Sequence, residues 1–129
     1  MKGDYMGNIQ KQPKNHYIVY SDGGCSPNPG GPGGYGAVII KGGQIVKELS
    51  HGYFASTNNR MEIMGVIAAM EWLPKGSVID CLYCDSQYVL KTISGEFKKK
   101  KNTDLWGRLD KALARHTIAN IEKPAGAFL

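Results

Sequence analysis

Between the β-rich runs Tyr17-Ile18-Val19-Tyr20 and Tyr35-Gly36-Ala37-Val38-Ile39-Ile40 the chain reads Gly23-Gly24-Cys25-Ser26-Pro27-Asn28-Pro29-Gly30-Gly31-Pro32-Gly33-Gly34. Proline fixes φ and removes a donor, while glycine loses the most conformational freedom on ordering. Their mixture excludes a helix and predicts turn structure from residue 23 to residue 34. The flanking runs must then fold back on each other as antiparallel strands, with the first strand ending at Asp22. The glycines have a second implication, because backbone without side-chain bulk can approach a phosphate or sugar closely.

The remainder of the chain extends this start. Gly42-Gly43 signals a second hairpin into a third strand over Gln44 to Tyr53, so the chain opens as a three-stranded antiparallel meander. Thr57-Asn58-Asn59 is capping chemistry for a helix to about Leu73. Ile63, Ile67 and Met70 would form its buried stripe, and Met64, Ala68 and Trp72 would broaden that face. Pro74-Lys75-Gly76 ends it, and Val78 to Cys84 reads as a fourth strand, parallel to the first by a right-handed crossover. A short helix from Ser86 to about Ser94 follows, with Tyr88, Val89 and Ile93 apolar, and Gly95 breaks it. Asn102 or Thr103 then caps a helix through about His116 with Leu105, Trp106, Leu109 and Leu113 inward, and residues 117–121 form a short fifth strand. Residues 1–14 are polar and aperiodic and read as a flexible N-terminal extension to one domain spanning 15–129.

Hydrophobic residues at 42% and charged residues at 21% are ordinary globular usage. The longest apolar runs, Val38 to Ile40 and Val66 to Met70, are too short to cross a bilayer, and Met1-Lys2-Gly3-Asp4-Tyr5 lacks the apolar core of a signal peptide. A cytoplasmic protein, monomeric by default and without a membrane partner, is the expectation. Cys81 and Cys84 form a C-x-x-C, but strand residues three apart point to opposite faces and no second Cys/His pair completes a zinc site. Buried thiols are the reading. Lysine and arginine number 16 against 11 acids, a net charge of +5 that suits a polyanionic partner, and the run Lys98-Lys99-Lys100-Lys101 is either an ordinary solvated surface or, beside a site for a phosphodiester backbone, a source of non-specific affinity.

Asp22, Glu62 and Asp85 each stand where one regular element gives way to another. Parallel first and fourth strands bring Asp22 and Asp85 to one edge of the sheet, the edge where ligands of open α/β sheets collect. Glu62, in a first helical turn, is by itself an ordinary partner for the helix dipole. Three carboxylates gathered together repel one another, and a hard divalent cation between them is the simplest relief.

Four ordered segments resemble type 1 ribonuclease H, the bacterial ribonuclease HI family. Tyr20-Ser21-Asp22-Gly23-Gly24-Cys25 resembles its Y-T-D-G-S-C, and Thr57-Asn58-Asn59-Arg60-Met61-Glu62 resembles T-N-N-R-M-E. Asp85-Ser86-Gln87-Tyr88-Val89 resembles D-S-Q-Y-V, and residues 104–110 resemble D-L-W-x-R-L-D. The resemblance implies an α/β, ribonuclease H-like fold: a five-stranded mixed sheet, the antiparallel meander plus parallel strands, flanked by helices. It implies cleavage of the RNA strand of an RNA–DNA hybrid by two Mg²⁺ ions, with Mn²⁺ a possible substitute, leaving 5′-phosphate ends. Asp22, Glu62 and Asp85 match catalytic metal-binding acids, and Gly23, Gly24, Cys25, Asn28, Asn58, Asn59 and Gln87 match substrate-binding positions. The chain departs from the pattern twice. Only residues 95–103 occupy the place of a long basic handle. Lys123-Pro124-Ala125-Gly126 lacks the histidines of a K-G-H-A-G-H-like loop, and the family's final helix with a fourth acid is missing. The expectation is an enzyme that works with three acids, or with a ligand from elsewhere such as Asp4, Glu122 or the C-terminal carboxylate. A hybrid-binding module with weak or no hydrolysis is the alternative function. Another metal nuclease of the same fold is a third, against which the N-N-R-M-E and D-S-Q-Y segments speak.

Overall fold

The computed structural model describes residues 15–125. The N-terminal extension, Asp4 and the last four residues lie outside them. Strands β1 (His16–Cys25), β2 (Gly33–Lys41) and β3 (Gln44–Tyr53) form the antiparallel meander. Helix α1 (Asn58–Trp72) crosses to β4 (Val78–Cys84), which pairs parallel with β1, Val19 opposite Leu82 and Ser21 opposite Cys84. Helices α2 (Gln87–Ile93) and α3 (Thr103–Leu113) follow, then β5 (Thr117–Ile118) and β6 (Ile121–Glu122). The sheet order is β3-β2-β1-β4-β5, with β6 also on β4. The mixed sheet and the parallel crossover are those expected. The fifth strand is split: β5 and β6 take successive places along β4, both parallel to it.

The glycine-rich segment departs most from expectation. β1 does not stop at Asp22 but runs on to Cys25, and the ladder pairs Gly23 with Tyr35, Gly24 with Gly34 and Cys25 with Gly33. Only residues 26–32 form the connection. Glycines that weaken an isolated strand are kept in this one by a helix lying on them. A Cβ on Gly23 would fall 2.4 Å from the carbonyl carbon and oxygen of Met61, in the first turn of α1. One on Gly65 would fall 3.2 Å from the Asp22 carbonyl oxygen. Helix backbone meets strand backbone there, and only glycine fits such an approach.

Thr57 caps α1, its Oγ1 accepting from the Arg60 amide at 3.2 Å. The buried surface of α1 is broader than the expected stripe: Met61, Ile63, Met64, Gly65, Val66, Ile67, Ala69 and Met70 are all buried. The helix is held between β1 and β2 on one side and α3 on the other. Trp72 is not part of that face. It is 42% exposed, with Lys47 of β3 over its ring, while Met70 and Leu73 on either side of it are fully buried.

Helix α3 inserts Leu105, Trp106, Leu109 and Ala112, and it ends at Leu113, before His116. Asn102 holds its cap position in the left-handed region (φ 56°) and makes no side-chain capping bond. Its side chain accepts from Arg60 and donates to the Tyr88 hydroxyl, which Trp106 Nε1 also reaches at 3.0 Å. Past α3, Arg115 donates to the Glu71 and Leu73 carbonyls and His116 Nε2 lies 2.7 Å from the Met70 carbonyl, covering the orphan acceptors at the end of α1. Cys81 and Cys84 are buried free thiols, and burial pushes Cys84 up to about 11. No helix among the described residues is long and apolar enough to cross a membrane.

Candidate active site

The close approach of α1 to β1 determines where Glu62 goes. Met61 lies over Gly23, so the next residue of the helix faces the strand beside Asp22. Glu62 is half-buried, and its Oε1 is enclosed without a hydrogen-bond partner. Burial first, then the charge of Asp22 and more weakly that of Asp85, push its carboxyl up to about 7, while the Gly23 amide pulls in the other direction. That amide donates to Asp22 Oδ1 at 2.9 Å. Asp85 follows the last residue of β4, and Ser86 caps α2 behind it, Oγ accepting from the Val89 amide at 3.2 Å.

All three expected acids thus meet at the edge where β1 and β4 deliver their carboxyl ends, near enough for Glu62 to feel both aspartates. Asp22 reaches that edge from within β1, three residues before its end. It points to solvent, whereas its neighbour Ser21 is buried. Among the described residues no three His, Cys, Asp or Glu side chains form a ready coordination group. What joins these three is mutual electrostatic reach. The donor set is still chemically right for a hard divalent ion: anionic oxygens, one of them buried and unpartnered.

The neighbouring residues divide into two kinds. The side chains of Cys25, Asn28 and Asn58 bond main-chain groups around the β1–β2 connection. The Cys25 amide donates to Asn58 Oδ1 at 2.7 Å and the Asn58 amide to Asn28 Oδ1 at 3.0 Å. Cys25 Sγ lies 3.1 Å from the Gly31 carbonyl and 3.2 Å from that of Ser56. Gly30 and Gly31 complete the seam by backbone bonds to Ser56. These residues shape the connection between β1 and β2 and tie it to the start of α1. Asn59 and Gln87 are exposed, and Gly23 and Gly24 line a glycine-floored cleft of about 380 Å³ that opens beside Asp22.

One residue at this edge escaped the sequence reading. Lys123 Nζ lies 3.6 Å from Asp85 Oδ1. The signal for it was the fifth strand: pairing parallel with β4 carries whatever follows that strand to the same edge. Glu122, a suggested substitute ligand, is exposed on β6 and accepts from Asn120. Of the four lysines at 98–101, all exposed, Lys99 is bound to Asp110.

With this geometry in place, comparison with known proteins is direct. The RNase H family model matches residues 14–123. The chain belongs to the RNase H family. A ribonuclease H of Afipia carboxidovorans is 43% identical over 116 residues, 80% of this chain and 76% of that one. A ribonuclease HI of a Synechocystis species is 48% identical over 102 residues, 79% of this chain and 62% of that one. Among solved structures, RNase H1 of the archaeon Halobacterium salinarum superposes with a TM-score of 0.72 at 31% identity, covering 85% of this chain and 86% of that one. This is a ribonuclease H by sequence and by fold, and hence an enzyme of the nucleic-acid hydrolase class.

Proposed function

We propose that this ribonuclease H cleaves the RNA strand of RNA–DNA hybrids, using divalent ions held by Asp22, Glu62 and Asp85 and leaving 5′-phosphate and 3′-hydroxyl ends. The single observation that carries the reading is the enclosed, unpartnered Oε1 of Glu62, whose carboxyl also feels the charges of Asp22 and Asp85. Such an arrangement is costly in the free protein and is relieved by a cation. Mg²⁺, or Mn²⁺ in its place, would activate a water for in-line attack and stabilise the leaving oxygen.

The protein's own contribution is placement. Asp22, on β1, is the acid whose charge Glu62 feels more strongly, and it would be shared between the ions. Glu62 and Asp85 approach from α1 and the end of β4. The glycine-floored cleft lets a sugar-phosphate backbone come down beside Asp22, and exposed Asn59 and Gln87 are the side chains we assign to a 2′-hydroxyl, the group that separates RNA from DNA. The exposed lysines near α3 supply attraction without sequence preference.

The test is a labelled RNA–DNA hybrid incubated with the full chain and Mg²⁺ or Mn²⁺, beside Asp22→Asn. Hydrolysis lost by roughly a hundred-fold or more in the variant supports the reading, since removing one charge-stabilising group from a site of this kind costs that order. Binding without cleavage under both metals would replace it with a hybrid-binding module.

A further inference from the structure

Three carboxylates share this edge, yet among the described residues only one ion pair involves any of them: Lys123 with Asp85 at 3.6 Å. Asp22 and Glu62 have none. Backbone pairing sets the position of that lysine. β6 runs parallel to β4 with Tyr83 opposite Glu122, so the next residues, Cys84 and Lys123, lie level. A four-carbon stem starting there reaches the residue after Cys84, which is Asp85. The pairing of Leu82 with Ile121 and the Asn120 carbonyl accepting from the Leu82 amide at 2.9 Å hold this register.

We propose that Lys123 is a tethered cation that occupies the Asp85 side of the site when no divalent ion is bound and competes with that ion for it; this rests on the reading of the three acids as metal ligands. The charges determine the direction of the effect. In the metal-free protein the ammonium relieves part of the repulsion among three acids. A divalent ion arriving at Asp85 must displace the ammonium or settle within a few ångströms of it, and either course weakens its binding. Both side chains are more than half exposed, so water and salt screen the competition and keep it modest. The ion still enters, because it carries twice the charge and meets three carboxylates where the lysine meets one. Lys123 therefore sets the divalent concentration at which the site fills.

Titration of the full chain with Mn²⁺, reading free Mn²⁺ by electron paramagnetic resonance, tests this without reference to turnover. Four proteins are compared: wild type, Lys123→Met, Lys123→Arg and Asp22→Asn. In low salt Lys123→Met should half-saturate at roughly three- to ten-fold less Mn²⁺ than wild type, and the gap should shrink in high salt. Lys123→Arg, which keeps the charge, should stay within about two-fold of wild type. The Mg²⁺ needed for half-maximal hybrid cleavage should fall with Lys123→Met by the same factor. Metal-free thermal unfolding checks that the variants are folded. Unchanged or weaker Mn²⁺ binding by Lys123→Met overturns the proposal, alone if Asp22→Asn has lost binding. If wild type and Asp22→Asn bind Mn²⁺ alike, the three-acid reading fails and takes the lysine proposal with it.

Discussion

On one side of the carboxylate site, Glu62 is delivered to Asp22 by backbone lying on backbone, with Met61 over Gly23 and Gly65 over the Asp22 carbonyl. On the other, Asp85 and Lys123 are exposed side chains at the ends of a seven-residue strand and a two-residue strand, joined only by an ion pair. Close packing of main chain transmits any misfit, since neither partner can yield cheaply. A solvated ion pair between two long side chains transmits little. The first side is therefore a rigid arm of the site, sensitive to volume. The second is an adjustable arm, sensitive to charge and salt.

The largest effect that could break this contrast is Gly23→Ala. A methyl group 2.4 Å from the Met61 carbonyl forces α1 off the strand and carries Glu62 away from Asp22. We expect a loss of about 3 kcal/mol in urea unfolding and loss of hybrid cleavage. A variant as stable and active as wild type would show that the seam is soft.

Glu62 supplies the next test. Its folded carboxyl titrates at about 7 against an ordinary 4.5, so the folded chain holds that proton more tightly than the unfolded chain does. The resulting stability is fully present below about 4.5 and is lost as pH rises through about 7. Melting temperatures of the metal-free protein across that window should decline with pH. Glu62→Gln should flatten the decline while abolishing cleavage. An unaltered slope in Glu62→Gln would assign the effect to another group.

Smaller effects sharpen the comparison. Gly107, in α3, has nothing within 4 Å of a Cβ, and Gly107→Ala should raise stability by about 0.5–1 kcal/mol, the opposite sign from Gly23→Ala. Lys123→Met should change metal-free unfolding by less than about 0.5 kcal/mol, as expected of an exposed pair, even while it alters Mn²⁺ binding. A large destabilisation there would make Lys123 part of the rigid framework.

The residues that carry strong local signals behaved as their chemistry dictates. Thr57 and Ser86 cap helices, Pro74 follows the end of one, Gly42 and Gly43 turn a hairpin with positive φ, and Val78 to Cys84 forms the strand expected between breakers. Asp22, Glu62 and Asp85 were legible as a group because each stands in a motif near the boundary of an element and because parallel strands share an edge, although β1 runs three residues beyond Asp22. Each of these follows from the preferences of a few consecutive residues.

What local preference could not supply was decided by contact across the fold. Gly23, Gly24, Gly33 and Gly34 carry turn propensity, yet they lie in a ladder, because sheet pairing holds all four and α1 backbone presses onto Gly23. Trp72 belongs to the apolar period of α1 but lies at the margin of the buried face, 42% exposed with Lys47 of β3 over its ring. Cys25, Asn28 and Asn58, expected as substrate contacts, also bond main chain around the β1–β2 connection, which no local preference indicates. Lys123 gains its meaning only from the parallel pairing of β6 with β4. The sequence by itself determined which acids are candidates for the site and which elements carry them. Tertiary structure decided how deep Glu62 lies and which cation stands against Asp85, because burial and charge proximity are properties of neighbours far apart in the chain.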